Sequence, residues 1–142
     1  MDSIIGEAPL WMRALRVPGW RWVPGMSAVH LNWGTVSVRE VDEAQGIAAC
    51  LCAHPAGYHS GPVDVKLSLA QMRPDLSDTA TKHQMLEAVR EIYGDDAITV
   101  QYHPSLGTPE RKRWRVWGDG YPIAYGYSEE EALIVALERA AD

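Results

Sequence analysis

Phenylalanine is absent from this chain, and cysteine occurs only twice among 142 residues. Cys50 and Cys52 stand one residue apart, poorly placed to bridge each other, so they read as thiols and a disulfide framework is excluded. Long apolar runs are also missing. The longest, Ile47–Ala53 and Ala132–Leu137, fall far short of the roughly 20 residues that cross a bilayer. The first residues, Met1–Glu7, carry acid where a secretory leader carries base, which predicts a cytoplasmic protein. Neither a Gly-x-Gly-x-x-Gly nor a Gly-x-x-x-x-Gly-Lys loop occurs, so no phosphate cradle is written in the chain. No Gly-x-Ser-x-Gly elbow surrounds Ser60, Ser68 or Ser105, and nothing singles out a partner for His83 or His103. These gaps predict a protein with no catalytic residues and no cofactor.

What is present is an ordinary apolar fraction, 46%, with an unusual aromatic choice of six Trp and six Tyr. Both side chains pair a large apolar ring with a polar atom, which suits half-buried and interface positions as well as a core that uses Trp for bulk. The net charge is −6, from 19 acidic and 13 basic residues. That balance argues against broad nucleic-acid binding, which leaves a basic footprint, and is compatible with docking onto a basic partner or with plain solubility. A chain of this length predicts one domain, residues 1–142, large enough to bury a core without staples.

Along the chain, Leu10–Leu15 suggests a helical turn and Trp20–Val23 a short strand between Pro-Gly turns. Ala28–Val41 reads as two strands or one with a bulge, Ile47–His54 as a buried strand, and Val63–Leu69 as a strand with one wet face. Ser77 or Asp78 can cap a helix that Gly94 ends, with Ala80, Leu86, Val89 and Tyr93 on its apolar face and Met85 and Ile92 at that face's edges. Ala97–His103 and the pair Trp114–Trp117 and Tyr121–Tyr127 read as strands, the last two joined by Gly118-Asp119-Gly120. Ser128-Glu129-Glu130-Glu131 is a capping box for a final helix with Ala132, Leu133, Ala136, Leu137 and Ala140 as its stripe. Together these predict an α+β fold, an antiparallel sheet with two main helices packed on one face.

Two constellations could carry binding chemistry. Arg111, Arg113 and Arg115 would share one face of a strand that Trp117 continues, with Trp114 between them. Such a face can grip phosphates or an acidic partner, or simply guard a strand edge against aggregation. Asp95 and Asp96, after the helix stop, could help hold a cation or stand as a solvated turn. Cys50, Cys52 and His54, with His59 nearby, have ligand types that zinc accepts, but their spacing is unlike that of structural zinc sites. No metal is therefore expected.

Three stretches also carry a resemblance: Pro74-Asp75-Leu76-Ser77-Asp78 with Ala80-Thr81 and Leu86…Val89-Arg90-Glu91…Tyr93-Gly94, the run Trp20–Met26, and Ser128–Leu133. Covering about a third of the chain, they resemble a group of small, uncharacterised proteins encoded in bacteriophages and prophages. Thr79 and Lys82-His83-Gln84-Met85 depart from that group and make the helix more polar. The resemblance implies a mobile-element source and carries no catalytic residues. It leads to the expectation of a cytoplasmic protein that binds a host protein or complex, in the sharpest version an anti-CRISPR-like inhibitor of bacterial defence. An enzyme with scattered site residues and a self-associating virion or regulatory component are the alternatives.

Overall fold

The computed structural model describes residues 8–52, 62–104 and 107–141. The fold is α+β, and among the described residues the strands divide into two antiparallel sheets, of five and three strands, where the sequence pattern suggested one. The chain sorts into two compact units: residues 21–81, and the segments up to Trp20 and from Lys82 onward.

The unit of residues 21–81 is built on β1 (Ser27–His30), β2 (Gly34–Asp42), β3 (Ile47–Cys52), β4 (Val63–Ser68) and β5 (Met72–Pro74). Their order is β4-β3-β2-β1-β5, so β4 and β5 lie at opposite edges although only the 3-10 turn Leu69–Gln71 joins them. Five strands laid flat would hold those edges about 19 Å apart. The four Cα steps from Ser68 to Met72 reach at most about 14 Å, so the sheet must curl into a half-open barrel. Alternate residues fill its inside: Ala28, Val36, Val38, Ala48, Cys50, Cys52, Leu67 and Met72 are buried. The 28–41 region is two strands, and β2 also carries a bulge between Val38 and Glu40. Trp20–Val23 is not a strand. The Pro24-Gly25 turn, closed by Met26 N–H donating to Val23 O at 3.3 Å, folds the segment back before it can pair. His30, 3% exposed, accepts from Asn32 N–H at Nδ1 (3.0 Å) and lies 3.2 Å from Gln71 Oε1 through Nε2, so both ring nitrogens are satisfied.

The first turn of helix α2 (Thr79–Tyr93) belongs to this unit, and Asp78 is its cap. The Asp78 carboxylate accepts from Thr81 N–H and from the Thr81 hydroxyl, both at 3.2 Å, which draws Thr81 into complete burial. The buried positions of the helix differ from the expected face. Thr81, Met85, Ala88 and Val89 are buried, whereas Tyr93 is 37% exposed.

In the other unit, α1 (Leu10–Arg16) is tied to α3 (Glu129–Ala140) by a two-pronged ion pair, Arg13 Nε and Nη2 donating to Glu138 at 2.9 and 2.7 Å. Strands β6 (Thr99–Tyr102), β7 (Trp114–Gly118) and β8 (Tyr121–Gly126) form a meander. Asp119 and Gly120, both at positive φ, make the two-residue turn between β7 and β8. Helix α3 packs along these strands and buries Ala132, Leu133, Ile134, Ala136 and Leu137 against one face. Ser128 Oγ accepts from Glu131 N–H at 3.1 Å as the capping box predicts, while Glu131 reaches back to Tyr127 N–H rather than to Ser128.

Candidate functional site

Side chains alternate along the three-stranded sheet, so covering one face with α3 leaves the other to a second set of residues. Val116 and Ala124, paired across β7 and β8, are wholly buried on the helix side. Their neighbours Arg115 and Tyr125, also paired, point the opposite way, joined from β6 by Gln101 opposite Arg115 and Thr99 opposite Trp117. Gln101 is bonded to Thr99 at 3.2 Å and to His103 at 3.1 Å, and His103 sits 6.1 Å from the Trp117 ring. Arg115 Cζ lies 5.6 Å and Lys112 Nζ 5.2 Å from the centre of the Tyr125 ring, within the range where a cation is attracted by an aromatic quadrupole.

The basic strip is only partly the strand that its alternation predicted. Glu110–Lys112 is a 3-10 turn and Arg113 a bend, so Arg111 does not share a strand face with Arg115. Pro109 explains the difference: Lys112 N–H donates to Pro109 O at 2.9 Å, which winds the chain before β7 begins. Trp114 also faces away from Arg115, and its ring meets that of Tyr102 at 4.9 Å. What the turn adds is anchorage. Arg113 Nε donates to Thr108 O at 3.3 Å and Arg115 Nε to Lys112 O at 3.1 Å. Each guanidinium is therefore fixed through its Nε, which leaves its terminal nitrogens to other partners. Lys112, Tyr125, Gln101 and His103 were not singled out as a group from sequence. Only the strand register, with Arg115 opposite Tyr125 and Gln101, gathers them.

Asp95 and Asp96 are not part of this face. Asp95 accepts from Ala97 N–H at 2.9 Å in the turn after α2, and a cleft of about 350 Å³ there is lined by Tyr93, Asp95, Asp119 and Tyr121. Asp95 lies by Gly118, so β7 separates this acidic end from the basic one. Tyr93 donates its hydroxyl to Ala136 O at 2.9 Å, and burial pushes its ionisation up, opposed by Arg139 and aided by Tyr121. Burial also raises Cys50, which keeps it a thiol. A group that ionises less readily when folded stabilises the fold fully below its ordinary ionisation and loses that advantage above it. Stability should therefore hold to about pH 9 and fall beyond it. Thermal melts across the alkaline range should show a shallower fall for Tyr93→Phe and Cys50→Ala than for the parent.

Cys50 and Cys52 are both buried, their thiols donating to Ala48 O at 3.7 Å and Trp33 O at 3.3 Å. Among the described residues no cluster of three or more metal-binding side chains occurs. His54, His59, Ser60 and Ser105 lie outside the described residues. A second hollow, on the outside of β2–β4, brings Arg39 and Lys66 together with Glu40 and Asp64, so its charges cancel. No described helix is long and apolar enough to cross a membrane. The chain matches no protein-family model, no curated protein and no solved structure.

Proposed function

We propose that this chain works by binding a host macromolecule, through the sheet face opposite α3 and the basic turn that leads into β7. The observation that carries the reading is a dense run of cations with no carboxylate set against it among the described residues. Arg13, Lys82 and Arg90 each pair with a glutamate. Arg111, Lys112, Arg113 and Arg115 are four of the chain's 13 basic residues within five positions, and among the described residues none has a carboxylate within ion-pair distance. Oriented cations beside Trp117 and Tyr125 combine the residue types that dominate interface energetics. The resemblance of the Pro74–Gly94 motif to phage and prophage proteins supports a host partner in the bacterial cytoplasm. Inhibition of a defence system, in the manner of an anti-CRISPR, is the form of action proposed. Affinity capture from nuclease-treated bacterial lysate should retain a stoichiometric partner, and Arg115→Glu should lose it. Retention of no partner by the parent protein, or equal retention by the variant, would refute the reading.

A further inference from the structure

Resting on that reading, we infer that the occupant of this face is an acidic protein segment, whose carboxylates pair with the terminal nitrogens of Arg113 and Arg115. Three features of the face select carboxylates over nucleobases. The Nε of each guanidinium is taken by a main-chain carbonyl, which leaves the end-on fork that matches a carboxylate. The Tyr125 ring is already engaged by Lys112 and Arg115, and Trp117 has His103 beside it, so these rings serve to fix cations more than to stack bases. The remainder of the chain is strongly acidic, since the net charge stays −6 even with these four cations counted. A long phosphodiester chain leaving the patch would run into that field, whereas a short acidic segment of a folded partner ends at the patch. Fixing the guanidiniums before docking lowers the side-chain entropy lost on binding.

Fluorescence anisotropy on the full chain tests this with three labelled probes: a short peptide of alternating Glu and Asp, its Gln and Asn counterpart, and an oligothymidylate. The acidic peptide is expected to bind with an affinity that falls about tenfold or more in Arg113→Gln/Arg115→Gln and weakens with added salt. The neutral peptide is expected not to bind. Arg115→Lys, which keeps the charge and loses the fork, should fall between the parent and the double variant. Unchanged melting of the variants separates a lost contact from a lost fold. Tighter binding of the oligothymidylate than of the peptide overturns the inference in favour of nucleic acid, and so does equal peptide binding by the double variant. Absence of peptide binding overturns it as well. If the double variant then still captures a lysate partner, the binding reading survives on another surface, and this face alone fails.

Discussion

Gly126→Ala is expected to cost about 3 kcal/mol or more and to loosen the three-stranded sheet from its helix. Gly126 ends β8, opposite Trp114, and is buried where α3 crosses it. A Cβ there would lie 2.5 Å from Ala132 N and 3.0 Å from both Ala132 Cα and Glu131 C. All three atoms are helix backbone, so no rotamer change can make room. Nor can the first turn of α3 shift cheaply, because Ala132 N–H donates to Ser128 O at 3.0 Å and Glu131 N–H to Ser128 Oγ. Relief requires the helix to lift, and lifting it exposes Leu133 and Leu137, each worth about 1.5–3 kcal/mol when fully buried. Gly118→Ala is the informative control. Its Cβ would meet Ile98 Cγ1 at 2.8 Å, Ile123 Cδ1 at 3.0 Å and Asp95 Oδ2 at 3.3 Å; these are side chains rather than main chain, and although buried Ile98 must shift, the cost should be smaller than at Gly126. Urea midpoints of the two variants decide the matter. A Gly126→Ala protein within about 1 kcal/mol of the parent would mean that the close approach is not needed.

The fold was legible in the sequence wherever the signal was local. Ser128 and Gly94 are chemical punctuation, and the structure uses both as read: one caps α3, the other ends α2 at φ 68°. The alternation of Val63, Val65 and Leu67 marked a strand because it depends only on neighbouring positions. Sheet membership is not local. Nothing in Met72-Arg73-Pro74 announces that it crosses to pair with β1, because that depends on a sheet curling until its edges approach. The candidate face divides in the same way. Arg113, Arg115 and Trp117 could be found by composition, but alternation assumed strand geometry one turn too early, before the 3-10 turn after Pro109. Tyr125 carried no signal of its own. Its place beside Arg115 depends on the register of a hairpin with a bulge between Val116 and Trp117, and a one-residue slip would have placed it against α3.

Asp78→Ala should cost about 2–4 kcal/mol, more than the loss of an ordinary helix cap. One oxygen of this carboxylate accepts from Ser27 N–H at 3.1 Å as well as from the main chain and hydroxyl of Thr81. It therefore joins the first residue of β1 to the first turn of α2, across 51 positions of sequence. Thr81 is fully buried, so its hydroxyl finds no water when the carboxylate is removed, and the penalty is that of a stranded donor. Asp78→Asn keeps an acceptor at the same reach and should lose less, whereas Asp78→Ser is too short to serve Ser27 and Thr81 together. A double-mutant cycle with Thr81→Val separates the cap from the joint. Coupling of about 1 kcal/mol or more is expected, because once Asp78 is gone the hydroxyl has nothing left to lose. The neighbouring Asp75 acts in the same corner, accepting from Ser77 N–H at 3.0 Å and from its hydroxyl at 2.6 Å, while Asp75 N–H donates to Ser27 O at 3.0 Å. The Pro74–Thr81 wording is thus accounted for by the geometry of a joint. The measurement is the unfolding free energy of the four proteins in the cycle. Additive costs would break the joint into two unrelated hydrogen bonds.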